Sequence, residues 1–157
     1  LISSLIEFDN IQIAQYGKNH PSGNIGNKIL KCGDIMIKYD QIVLVEEGDR
    51  LHDCLLELCS KRLRCALVVD HKKNTSPELR GIITDGDIRR FLSTHEINDS
   101  TIKNCINKEP ITINADDNLE TLINVIKHNH SLISGIPVLN NGILVGLITQ
   151  SQIITSI

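Results

Sequence analysis

The sequence predicts an α+β protein made of two copies of one β-α-β-β-α unit, and three observations carry that prediction. A helical face of Leu51, Cys54, Leu55, Leu58 and Cys59 returns as Leu119, Leu122, Ile123 and Ile126 at one constant offset. Each copy ends in a Gly-apolar-apolar-Thr segment that runs into a helix start: Gly81-Ile-Ile-Thr84 and Gly146-Leu-Ile-Thr149. The strand and helix patterns also follow one another in the same order in both halves. Self-similarity of this kind marks a duplicated supersecondary unit. Each unit's sheet has a face to cover, and two such units cover those faces by packing against each other.

The elements follow in order. Leu1, Ile2, Leu5 and Ile6 share a helical face. His20-Pro-Ser-Gly-Asn-Ile-Gly26 reads as a loop, because Pro21 and two glycines disfavour regular structure. Asp34-Ile-Met36 reads as a short turn and Gln41-Ile-Val-Leu-Val45 as a strand. The periodic face from Leu51 to Cys59 is then one buried side of a helix, which assigns two of the five cysteines to core packing. Cys65-Ala-Leu-Val-Val69 and Leu79 to Thr84 are strands, joined by a polar loop that contains His71 to Pro77; a helix follows through Asp87 to Leu92. In the second copy Pro110-Ile-Thr-Ile-Asn114, Gly135-Ile-Pro-Val-Leu139 and Ile143 to Thr149 are the strands. Asn141-Gly142 between the last two is a strong signal for a two-residue hairpin.

Composition limits the function classes. The 157 residues are 41% hydrophobic and 22% charged, as in a soluble globular chain long enough to fold without staples. There is no Trp, and only two Phe and two Tyr, which argues against stacking platforms for single-stranded nucleic acid. A net charge of −3 offers no general attraction to phosphate polymers. An odd count of five cysteines without a C-x-x-C pair reads as reduced thiols in a cytoplasmic protein. No apolar run approaches the ~18 residues of a membrane span, and no signal peptide is visible. A start without Met is expected for a piece of a longer protein.

The chemistry sits in Thr84-x-x-Asp87 and Thr149-x-x-Gln152. Both have a structural explanation as capping boxes at helix starts. They differ in chemistry, however: a carboxylate accepts two charge-assisted hydrogen bonds from a ribose diol, whereas a Gln amide carries no charge. A helix N-terminus favours a phosphate. Arg89 and Arg90 follow in the first copy, Ile153 and Ile154 in the second. His128 and His130 are too few for a metal site, so no metal is expected. Lys61-Arg-Leu-Arg64 reads first as a helix C-terminus complementing the macrodipole.

Two tandem units, each carrying Gly-apolar-apolar-Thr, resemble a pair of cystathionine-β-synthase (CBS) domains, a Bateman module. The resemblance covers residues 32–94 and 102–157, with 95–101 as linker and 1–31 as the tail and linker of a preceding domain. It implies a pseudo-two-fold pair that dimerises as a disc and binds adenosyl ligands in clefts between units. By this resemblance Asp87 holds ribose hydroxyls and Thr84 lies near phosphates. Thr149 matches and Gln152 departs. Segments Ile42–Leu44 and Ala66–Val68, with Ile42, Leu67 and Val68, would contact a base, and Arg89 belongs to the same candidate set.

His20-Pro-Ser-Gly-Asn-Ile-Gly26, together with Thr84-Asp-Gly-Asp-Ile-Arg-Arg90, is further similar to arabinose-5-phosphate isomerases, in which a sugar-isomerase (SIS) domain feeds a CBS pair. There Ser22 and Ile25 replace a Gly and a Leu. The resemblance implies a parent enzyme interconverting D-ribulose 5-phosphate and D-arabinose 5-phosphate for Kdo and lipopolysaccharide synthesis. His20 carries over as an active-site residue of that parent only; without the SIS domain this chain is expected not to be an enzyme. The expected partners are a small-molecule nucleotide, an adenine nucleotide or CMP-Kdo, and a second copy of the chain, with the parent a tetramer. No required cofactor, nucleic acid or membrane is expected. The alternative is a ligand-free dimerisation module of the same enzyme.

Overall fold

The computed structural model describes residues 30–71, 76–129 and 133–156. The helix expected over the first residues, the loop containing His20, residues 72–75 of the polar loop and His130 lie outside them. The order is α1 (Cys32–Ile35), β1 (Ile37–Lys38), a 3-10 turn (Tyr39–Gln41), β2 (Leu44–Val45), α2 (Leu51–Lys61), β3 (Cys65–Asp70), β4 (Glu78–Thr84) and α3 (Asp85–Leu92). A 3-10 turn (Ile102–Asn104) leads into β5 (Ile113–Asn114), α4 (Leu119–His128), β6 (Ile136–Asn140), β7 (Ile143–Ile148) and α5 (Gln150–Ser156). From β2 to α3 and from β5 to α5 the chain is β-α-β-β-α twice, as the repeat predicts.

The helices end and begin by recognisable chemistry. Arg62 closes α2 in the left-handed region at φ 55°; its N–H bonds the Cys59 carbonyl, and Leu63 N–H bonds the Leu58 carbonyl at 3.0 Å. That is a Schellman closure with Arg where Gly is usual. Asn118 caps α4 by accepting from Thr121 N–H at 2.9 Å. Asn141 and Gly142 take φ 49° and 80° between β6 and β7, the positive values a two-residue hairpin needs.

Several expectations need correction. The strand expected over Gln41–Val45 shrinks to Leu44–Val45, and Gln41 closes a 3-10 turn. The strand expected from Pro110 shrinks to Ile113–Asn114. Asp34–Met36 is the end of a four-residue helix and its cap. Cys59 is exposed, not core: on α2 only Leu51, Cys54 and Leu58 are buried, with Leu55 at the margin. The helix presents a narrower stripe to the sheet than its apolar spacing suggests.

This difference predicts thiol reactivity. Burial pushes the Cys32 thiol up to about 11 and the Cys54 and Cys65 thiols up to about 12. The thiolate is the reactive form. Iodoacetamide at pH 8 should therefore alkylate Cys59 first and Cys105 slowly, leaving Cys32, Cys54 and Cys65 unmodified until denaturant is added. Peptide mass spectrometry reads the order; early alkylation of Cys54 would contradict this packing.

Three cores hold the molecule together. Val43, Leu51, Cys54, Leu58, Ala66, Val68, Ile83 and Ile88 lie between the first sheet and its helices. Ile113, Leu119, Leu122, Ile136, Val138, Ile148 and Ile153 do the same in the second unit. The third core is shared: Ile42, Cys65, Leu67, Val69 and Ile82 meet Leu144 and Leu147 across the two sheets. Strand alternation produces this division, since Ala66 and Val68 face the helices while Cys65, Leu67 and Val69 face the other unit. The sheets approach so closely at Gly135 that a β-carbon there would sit 2.5 Å from Cys65 Sγ.

The units also exchange their leading segments. Cys32 is fully buried in the second unit's core, and its N–H bonds the Asp117 carbonyl at 2.8 Å. β1 then pairs antiparallel with β7, Ile37 opposite Leu147 and Lys38 opposite Gly146. The second sheet therefore runs β1-β7-β6-β5 with four strands, and the first β2-β3-β4 with three. In return Ile102 is fully buried in the first unit's core, and Asn107 exchanges two 2.9 Å backbone bonds with Ile82 of β4. Lys31–Asn118 and Arg50–Thr101 bridges mark the two crossings.

Candidate functional site

β3 and β4 pair with Cys65 opposite Thr84, and β2 runs parallel to β3 with Leu44 opposite Leu67. The start of β2, the start of β3 and the end of β4 thus share one end of the sheet. Thr84 lies two residues after Ile82, which faces the other unit, so alternation turns Thr84 to the seam. α3 starts at that point.

Thr84 caps α3 with a complete capping box. Its Oγ1 accepts from Asp87 N–H at 3.1 Å, and Asp87 Oδ2 accepts from Thr84 N–H at 3.0 Å. The Thr84 hydroxyl donates to the same Oδ2 at 2.7 Å. That oxygen is committed to the helix cap. The other, Oδ1, accepts from the Arg90 guanidinium. The Asp87 side chain is 20% exposed and that of Arg90 75%.

The second motif shows what its substitution changes. Gln152 Oε1 accepts from Thr149 N–H at 3.1 Å and from the Thr149 hydroxyl. It does for α5 what Asp87 Oδ2 does for α3. The atom left over is an amide nitrogen, a donor, where Asp87 has an acceptor. Capping chemistry is thus conserved between the two copies, while diol-accepting chemistry is present only at Asp87.

The remaining sequence candidates are placed as follows. Ile42 and Leu67 are buried in the shared core, Ile42 at the motif's end of the sheet. Val68 is buried on the opposite face, under the first unit's helices, so its side chain does not join them. Arg89 is exposed on α3. Thr149 lies at the equivalent end of the second sheet, and His20 lies outside the described residues. Among those residues, no group of three or more His, Cys, Asp or Glu could hold a metal ion. His128 Nδ1 instead sits 2.7 Å from the Asn124 carbonyl of its own helix.

Three neighbours of the motif are placed by the structure, two of them from the basic run Lys61–Arg64 that the sequence reads first as a helix end. Lys61 Nζ donates to the Ile42 carbonyl at 2.8 Å, bringing the end of α2 over the start of β2. Arg64 donates to Asp85 Oδ2 from Nε and Nη2 at 3.2 and 3.1 Å. Cys105 arrives on the exchanged segment, two residues before the Asn107–Ile82 bridge; burial first, then the charge of Asp87, push its thiol up. Only the basic run itself was visible in the sequence. Two hollows lie elsewhere on the first unit. One is bounded by Asp49, Asp53 and Glu57 with Arg50, the other by Glu46, Glu47 and Asp70 with Arg80, and neither includes Thr84 or Asp87. In each the carboxylates outnumber the single arginine, a balance that disfavours a phosphate.

The chain matches the CBS domain family twice, over residues 32–94 and 102–157. It is 29% identical over 157 residues to the arabinose 5-phosphate isomerase KdsD of Francisella tularensis, covering 98% of this chain and 46% of that protein. A probable arabinose 5-phosphate isomerase of Haemophilus influenzae is 33% identical over 138 residues, covering 85% of this chain and 39% of that one. The chain therefore spans less than half the length of these curated relatives. Among solved structures, the CBS domain pair of protein MJ0100, in complex with 5'-methylthioadenosine and S-adenosyl-L-methionine, is 26% identical with a TM-score of 0.66. That match covers 81% of this chain and 94% of the other.

Proposed function

The chain belongs to the CBS-domain family, and from that premise we propose that it is the nucleotide-sensing regulatory module of a longer arabinose 5-phosphate isomerase. In this reading residues 32–94 and 102–157 are its two units, and residues 1–31 join them to a sugar-isomerase domain. Interconversion of D-ribulose 5-phosphate and D-arabinose 5-phosphate, on the route to Kdo, belongs to that domain, with His20 contributed to it from the junction. The module itself catalyses nothing. It binds a nucleotide at Thr84 and Asp87 and favours one arrangement of the parent over another, which requires unequal affinity for the two. The parent acts in the cytoplasm as a homo-oligomer paired through its CBS modules. Among the described residues, no helix is long and apolar enough to cross a membrane.

The observation that carries this reading is the division of labour on Asp87. One oxygen completes the helix cap, and the other accepts from the exposed Arg90 guanidinium. The isomerase relatives supply the parent, and the adenosyl ligands of the MJ0100 pair supply the ligand class. CMP-Kdo, a product of the route, presents the same ribose and phosphate.

A thermal-shift panel of AMP, ADP, ATP, S-adenosylmethionine, CMP and CMP-Kdo tests the proposal. Ligand at about 100 times its Kd adds roughly 2.7 kcal/mol, on the order of 5–10 °C in Tm for a chain of this length. Asp87→Asn should abolish the shift while keeping the cap, since an amide oxygen caps equally well at Gln152. A ligand-free dimerisation module is the second reading, favoured by the complete capping box at Thr84 and by Gln152 Oε1 capping Thr149 N–H at the second motif. It predicts no shift across the panel and an undiminished dimer by light scattering.

A further inference from the structure

Resting on the reading of Asp87 as the ribose group, we propose that Arg90 is a phosphate-reading gate. Its guanidinium holds the outward oxygen of Asp87 and passes to the ligand's phosphate when ribose takes that oxygen. The site then selects phosphorylated nucleotides over nucleosides.

Three observations carry this. Asp87 Oδ2 already accepts two donors from Thr84, so a ribose diol must compete for Oδ1, where Arg90 sits. Arg90 stands three residues beyond Asp87 on α3, and its side chain is 75% exposed, so it can swing on its stem without moving backbone. Its Nη1 lies 3.5 Å from where a β-carbon on Gly86 would be, and Thr84 Oγ1 lies 3.6 Å from the same point. The guanidinium therefore covers the first turn of α3, where the Asp85 and Asp87 N–H groups are already bonded to the Arg64 carbonyl and to Thr84 Oγ1, so a phosphate there would be held by the guanidinium itself. An Arg fork matches a phosphate as well as it matches a carboxylate.

The neighbouring cations are held differently. Arg64 is paired with Asp85, and Lys61 with the Ile42 carbonyl and Glu57. Arg90 is the cation whose partner the ligand itself would claim. A nucleoside displaces it and offers nothing in return, whereas a nucleotide displaces it and pairs with it. At the second motif the corresponding position is Thr155, whose hydroxyl donates to the Ser151 and Gln152 carbonyls at 3.0 and 3.2 Å, so that copy has no gate.

Calorimetric titration of the 157-residue chain with adenosine and AMP, and with cytidine and CMP, tests the gate in wild type, Arg90→Gln and Arg90→Lys. For the base that binds, wild type should prefer the monophosphate by roughly tenfold or more, the range of a hydrogen bond to a charged group. Arg90→Gln should weaken the monophosphate by roughly tenfold and tighten the nucleoside, bringing the two together. Arg90→Lys should retain part of the preference. If Arg90→Gln weakens nucleoside and nucleotide by the same factor, or changes neither, the gate is wrong and the nucleotide-sensing reading stands. If none of the four probes binds the folded wild-type chain, the gate falls, and the nucleotide-sensing reading falls with it only when the six-ligand thermal-shift panel is also silent.

Discussion

Ile102→Ala should destabilise the first unit, although residue 102 opens the second by sequence. The side chain is fully buried among Leu51, Leu58, Ile83 and Ile88. Removing it forfeits transfer energy and leaves a cavity, in the range of about 2–5 kcal/mol for Ile to Ala. At about 2–4 °C per kcal/mol for a chain of this size, the expected fall in Tm is on the order of 10 °C. The location of the damage is as informative as its size. Cys54 packs in the same core as Ile102, whereas Cys32 lies in the core of the other unit. Native alkylation should therefore expose Cys54 in the variant before Cys32. Loss of Cys32 protection first would mean that residues 102–107 belong to the second unit after all, and the exchange would be wrong.

Gly146→Ala should also lower stability, against the local expectation. Within a strand, Gly to Ala ordinarily gains roughly 0.5–1 kcal/mol, because Gly loses more backbone entropy on folding. Here a β-carbon would lie 2.5 Å from the Ile37 carbonyl oxygen and 2.6 Å from Met36 Sδ. The thioether can turn aside, but the carbonyl oxygen cannot without opening the β1–β7 pairing. Overpacking costs typically about 1–3 kcal/mol, and each ladder hydrogen bond lost adds about 1. A net loss on the order of 3 kcal/mol follows, with Cys32 losing its protection because α1 and β1 leave together. Gly81 occupies the equivalent place in the first unit, where a β-carbon would meet the Asn107 carbonyl oxygen and the Ile106 side chain. Gly81→Ala should therefore match Gly146→Ala in sign and expose Cys54 instead. A gain in Tm for either variant would show that these glycines serve only local backbone geometry.

The two outcomes bear on how the two units hold each other. The segment that enters the module, α1 and β1, is held by the second unit; the segment between the units, residues 102–107, lies along β4 beside Thr84. Each unit thus holds the segment that leads into the other.

Much of this was legible in the sequence, for definite reasons. The repeat is legible because a helix stripe and a strand run leave periodic apolar signatures, and these recur at Leu51–Leu58 and Leu119–Ile126. The hairpin at Asn141-Gly142 is legible because positive φ has few suitable residues. Thr84 and Asp87 are legible as a pair because a cap needs a hydroxyl and an acceptor three residues apart. What the tertiary structure alone decided is partnership. Periodicity shows which residues seek cover but not what covers them, so the destinations of Cys32 and Ile102 could not be read from their neighbours. Strands of two residues, such as β1 and β5, take their form from the ladder they join and carry little propensity of their own. Cys59 fits an apolar spacing and still faces solvent, because the width of the buried stripe is set by what packs against it. The occupancy of the two Asp87 oxygens follows the same rule: the residue type is in the sequence, but which donor reaches which oxygen depends on where α3 brings Thr84 and Arg90.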